Sequence, residues 1–140
     1  MFPHARAAFA ATLFAVLPLA LPALGDTPMD AEAFDRYTQG RTLSYHHLGQ
    51  PYGIEQYLPG RRVRWAFIGN ICQEGIWYER NGMICFLYDD APTNEQCWIF
   101  HETETGMRGV AQGPEGPSTE LYEVEQSDRP LNCAGPDVGV

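Results

Sequence analysis

Between residues 41 and 125 apolar side chains recur at every second position in short runs, and Gly, Pro, Asn and Asp separate the runs. A period of two belongs to β-strands with one buried face. It predicts strands over residues 42–46, 53–58, 62–68, 75–80, 83–89, 96–101, 107–111 and 120–125. In the third, Val63, Trp65 and Phe67 alternate with Arg62, Arg64 and Ala66, which gives the strand an inward aromatic face. Gln50-Pro51, Pro59-Gly60, Gly69-Asn70 and residues 113–117 punctuate the series. Eight short strands with brief connections and no crossover helix make an antiparallel meander. Such a meander buries its edges best by closing into a small barrel, with a two-sheet sandwich as the alternative.

The stretch 75–100 sets the register. Asn81-Gly82 lies between two aromatic-rich runs and suits the positive φ angles of a two-residue type I′ turn. With that pair as the loop, Arg80 faces Met83, Tyr78 faces Cys85 and Trp77 faces Phe86. Alternation then places Trp77, Ile84, Phe86 and Tyr88 on one face, and Ile76, Tyr78, Cys85 and Leu87 on the other. A second return over 89–94 brings the next strand back; if Cys97 lies opposite Cys85, Trp98 joins the aromatic face.

Upstream of the strands, residues 27–40 carry helix signals: Thr27 as N-cap, Pro28 at the first helical position, acidic residues in the first turns and Gly40 beyond the end. They predict a helix over 28–39 whose Phe34 and Tyr37 plug one end of the sheet. Residues 1–25 read as a cleaved secretory signal, with Arg6 in a weakly positive start, an uncharged apolar run over 7–21 and small residues at Ala23 and Gly25. The run is short for a membrane anchor and is broken by Pro18 and Pro22; no cysteine follows to take a lipid.

Cleavage after Gly25 leaves 115 of the 140 residues, enough for one core: a domain over 26–130 and an irregular tail over 131–140. Lys+Arg number 9 against 18 Asp+Glu, and every basic residue is an arginine. So acidic a domain repels nucleic acid and anionic lipid. The basic cluster Arg61, Arg62 and Arg64 reads first as a solvated strand edge and second as an anion contact. Four cysteines, at 72, 85, 97 and 133, follow the signal without any C-x-x-C spacing. In an exported chain they read as two disulfides, for which three pairings exist. Cys85–Cys97 across the second hairpin and Cys72–Cys133 tying down the tail are the favoured set. The expected location is outside the cytoplasm, in the periplasm of a Gram-negative bacterium or secreted.

Gly40-Arg41-Thr42-Leu43, the G-x-W at Trp77, the Asn-Gly turn, I-C-F-x-Y at 84–88 and Cys97-Trp98 resemble small exported bacterial proteins grouped as domains of unknown function. The resemblance spans most of the mature chain and concerns fold more than chemistry. More loosely, a short helix leading into a glycine-started first strand is similar to the lipocalin or calycin arrangement. Thr42 stands where lipocalins usually have tryptophan, and no C-terminal helix pattern follows the last strand.

Catalytic signatures are sparse. Ser44, Ser118 and Ser127 lie in no G-x-S-x-G, and neither a phosphate loop nor H-E-x-x-H occurs. His46 and His47 are adjacent and would point to opposite faces of a strand, with His101 far along the chain. The pairs Asp89/Asp90 and Glu102/Glu104 read as solvated loop acids. The expectation is therefore a non-catalytic binding or interaction module without cofactor or metal. Its partner would be a small apolar or aromatic ligand, or a protein. The alternative is a small hydrolase or metal-dependent enzyme using His46, His47 or His101. The inward set Trp65, Phe67, Trp77, Phe86, Tyr88 and Trp98 is bulky enough to fill a small barrel, so a plain aromatic core is favoured over a ligand cavity.

Overall fold

The computed structural model describes residues 27–69 and 71–133, and the alternating runs close in it into one barrel. The expected signal peptide over 1–25 and most of the expected tail lie outside the described residues. The strands are β1 Thr42–His47, β2 Gln50–Leu58, β3 Arg62–Phe67, β4 Gln73–Arg80, β5 Met83–Tyr88, β6 Gln96–Thr103, β7 Gly106–Gly113 and β8 Gly116–Ser127. Each pairs antiparallel with the next, and β8 returns to β1, so no edge is left open.

The register argued from the turn is the one formed. Arg80 pairs with Met83, Tyr78 with Cys85 and Trp77 with Phe86, while Asn81 and Gly82 take φ of 53° and 74°. Cys85 lies directly opposite Cys97 and is bonded to it; Cys72 is bonded to Cys133. Several boundaries differ from expectation: β4, β7 and β8 are longer than expected, with β8 beginning at Gly116 and not at Glu120, and two others have an evident physical cause. The β1–β2 return is made by Leu48 (φ 50°) and Gly49 (φ 75°), not by Gln50-Pro51. Pro51 enters β2 at a register shift opposite His46, a place where a missing N–H is tolerated. The helix, α1, runs Ala31–Thr38, three residues later at its start than expected. Asp30 is its N-cap and accepts from the Ala33 N–H at 2.8 Å, whereas Met29 donates its own N–H to the Phe100 carbonyl at 2.8 Å. Pairing with β6 thus holds the chain extended where Thr27 and Pro28 would have started a helix.

Helix α1 closes the end of the barrel from which β1, β3, β5 and β7 set out. Phe34, wholly buried, meets the rings of Trp77 at 5.0 Å, Tyr57 at 5.7 Å and Phe100 at 4.8 Å. The Arg61 guanidinium lies 4.6 Å from the centre of the Trp77 ring, and Trp77 is buried. This half is a filled aromatic core. Elsewhere glycines make room for rings: a methyl on Gly53 would run into the Trp65 indole, and one on Gly109 into Phe100.

Candidate functional site

Away from the helix the barrel is not filled. A chamber runs inward from the opposite end, between aromatic walls that include Tyr45, Trp65, Phe86 and Trp98. The space open to the centre of a water-sized sphere is about 50 Å³. Since about 10–15 Å³ holds one water, the chamber takes roughly three to five waters or a ligand fragment of that bulk. Its rim carries Tyr52, Phe67, Gln73 and Gln96, and Phe67 is 41% exposed. Leu48, Ile68 and Ile71, in the loops at the same end, are exposed apolar residues around this mouth.

The chamber contains a carboxyl group. Alternation along β2 sends Gly53, Glu55 and Tyr57 inward, and Glu55 is only 4% exposed. Tyr88 donates its hydroxyl to Glu55 Oε1 at 2.8 Å and Tyr57 to Oε2 at 3.1 Å; the Tyr45 and Tyr57 hydroxyls are 2.9 Å apart. Loss of hydration raises the Glu55 pKa from its ordinary 4.5 to about 7, with the two tyrosine hydrogen bonds opposing the rise. Burial, reinforced by the Glu55 charge, pushes Tyr57 and Tyr88 well above their ordinary value; burial and Glu55 do the same to Tyr45. A Tyr57 hydroxyl has a single proton. When that proton serves Glu55, Tyr45 must be the donor to Tyr57, and the cluster reads as a chain from Tyr45 through Tyr57 to the carboxylate.

Of the six aromatic residues expected inside, five are buried and Phe67 is 41% exposed. Trp77 belongs to the filled half, Trp65, Phe86, Tyr88 and Trp98 line the chamber, and Phe67 packs on Tyr52 and Trp65 at its exposed rim. The arginines are not gathered into an anion site. Arg61 stacks on Trp77, while Arg64 meets Glu74 at 2.5 Å and Arg62 lies 4.0 Å from the same carboxylate. The histidines stand apart. His47 Nδ1 is 2.8 Å from the Glu120 carbonyl near the mouth, His46 pairs with Pro51 and Tyr122, and His101 lies opposite Arg108 on the β6–β7 ladder. Among the described residues, Cys85, Glu95 and Cys97 are the one His/Cys/Asp/Glu trio with ligand atoms within 4.8 Å, and its two sulfurs are joined in a disulfide. Asp89 and Asp90 follow β5 at the mouth, and Glu102 and Glu104 lie at the helix end.

At that helix end a second buried acid, Glu123, accepts from the Tyr37 hydroxyl at 2.6 Å and the Met107 N–H at 2.8 Å. It ties α1 to the β7–β8 hairpin. Sequence reasoning passed over both Glu55 and Glu123. The signal for Glu55 was present in its alternation with Gly53 and Tyr57, two positions away on either side. No described helix is long and apolar enough to cross a membrane. The two disulfides belong to an oxidising, exported environment. The chain matches no protein-family model, and no curated protein or solved structure is significantly similar to it.

Proposed function

We propose that this is an exported, non-catalytic binding module that takes a small, mainly apolar ligand in the open half of the barrel. The observation that carries the reading is a solvent-open aromatic chamber with a few convergent polar groups, the Glu55 carboxyl and three tyrosine hydroxyls, inside it. Apolar walls with sparse, placed polar atoms are the common form of a small-molecule site, and a carboxyl with a displaced pKa marks one further. The chamber volume limits the buried part of the ligand to a few heavy atoms, and the exposed apolar rim at Phe67, Ile68 and Ile71 would hold whatever projects. Export to the periplasm accounts for the disulfides and for the signal-like residues 1–25.

Native mass spectrometry of protein recovered from the periplasmic fraction tests the reading. The expected spectrum shows a chain beginning at Asp26 and accompanied by a small adduct that gentle activation removes. A Trp65→Ala variant, which strips one wall, should lose the adduct while the fold persists. An adduct-free protein that no panel of small apolar compounds can saturate would overturn the reading.

A further inference from the structure

Resting on the reading of the barrel as a small-ligand binder, we propose that its ligand is a primary ammonium, whose N–H donors engage Glu55 and the tyrosine oxygens while its apolar stem lies along the aromatic walls toward Phe67. Hydrogen-bond accounting leads there. With Glu55 ionised, the hydroxyl protons of Tyr88 and Tyr57 go to its two oxygens and that of Tyr45 goes to Tyr57. All three protons are then used, and the inner end of the chamber offers acceptors alone. An ammonium group has three donors and no acceptor, which is the complement of such a site.

Charge leads the same way. Among the described residues no cationic side chain lines the chamber, so the Glu55 carboxylate is buried there without a counter-charge from them. A buried ion is stabilised by a paired, hydrogen-bonded partner, and here the partner must come from the ligand. Trp65, Phe86 and Trp98 border the same space, and aromatic faces attract ammonium ions. The acidic balance of the whole chain, −9, and Asp89 and Asp90 beside the mouth draw cations inward. An anionic ligand would set a second negative charge beside Glu55. A neutral hydrocarbon would leave the carboxylate as poorly solvated as before.

The test uses the mature, disulfide-bonded protein with n-butylammonium and n-butanol, isosteres whose few heavy atoms suit the chamber, read by calorimetry and by the fluorescence of Trp65 and Trp98. The titratable groups clustered with Glu55 are Tyr45, Tyr57 and Tyr88, all kept neutral, so within this cluster Glu55 alone changes charge near neutrality, while His47, Asp89 and Asp90 stand farther out at the mouth. Its ionised fraction rises roughly tenfold between about pH 6 and about pH 8, while the ammonium stays charged. Butylammonium should therefore saturate the protein about tenfold more tightly at the higher pH, and butanol should bind at least about tenfold more weakly than butylammonium there. Glu55→Gln should abolish both the preference for butylammonium over butanol and its pH dependence. Tyr88→Phe, which removes one acceptor and one hydrogen bond that favours the Glu55 carboxylate, should weaken butylammonium. Butanol binding as tightly as butylammonium, or butylammonium affinity unchanged in Glu55→Gln, would overturn the ammonium assignment and leave the small-ligand reading standing. Saturation by neither compound would overturn the ammonium assignment, and the adduct and panel measurements above would then decide the small-ligand reading.

Discussion

Glu55→Gln keeps the shape of the side chain and removes its charge, and the structure sets what that does to stability. The unfolded chain ionises Glu55 at the ordinary 4.5, whereas the folded barrel holds the proton up to about 7. Below pH 4.5 both states carry the proton, and the group costs nothing. Between those values the folded state binds one proton more than the unfolded, so stability falls by about 1.4 kcal/mol per pH unit. Above 7 the loss levels off at roughly 3 kcal/mol, a large share of the 5–15 kcal/mol of an ordinary domain. Urea unfolding of both proteins from about pH 4.5 to about pH 8.5 measures this directly. All other titrating groups are common to the two, so they cancel in the difference. The amide's altered hydrogen bonds to Tyr57 and Tyr88 add an offset that does not vary with pH. The difference curve should thus climb by about 3 kcal/mol in favour of the variant as pH rises. A difference flat in pH would refute the claim that Glu55 ionises in a desolvated site.

Trp77→Ala should cost about 3–5 kcal/mol in urea unfolding, since its ring is packed between Phe34 and Arg61, whereas Phe67→Ala at the exposed rim should cost less than about 1 kcal/mol. Removing Cys72–Cys133, which spans 61 residues, should destabilise by about 4 kcal/mol, and removing Cys85–Cys97, which spans 12, by about 3 kcal/mol; both are read by denaturation of the paired Cys→Ala variants. Gly53→Ala should cost about 1–3 kcal/mol and shift tryptophan emission, because its methyl would overlap the Trp65 ring and come 2.9 Å from the Ala66 carbonyl oxygen.

The fold was legible wherever local chemistry and periodicity agreed. The Asn81-Gly82 turn has one good geometry, and from it the pairing of Trp77 with Phe86, and with the next return that of Cys85 with Cys97, followed by counting. The Leu48-Gly49 turn was hidden because a leucine at positive φ carries no sequence signal, while the neighbouring Pro51 carries a strong but misleading one. The start of α1 was misplaced for a tertiary reason: a hydrogen bond from Met29 to Phe100, distant in sequence, overrode the cap signals at Thr27. Phe67 was correctly given to the inward face, but alternation does not tell how far along the barrel axis a residue sits. At the mouth, inward and buried are different things.

Glu55 is the instructive omission, because two sound rules conflicted there. Alternation puts it inside with Gly53 and Tyr57, while its charge argues for solvent, and the second rule prevailed in reading an acidic chain. The structure satisfies the first and meets the second only in part, with two hydroxyl donors and no cation. The other half of the same barrel shows what the fold does when stability alone is at stake: the buried rings of Phe34, Trp77 and Phe100 pack against one another there. An apolar side chain at position 55 would do the same in the open half and spare roughly 3 kcal/mol near neutral pH. A costly polar group kept where an apolar one would pack better is the kind of local inconsistency that concentrates at sites of use. The chamber and its carboxyl therefore belong together, and the barrel divides into a half packed by the helix and a half open to solvent around Glu55.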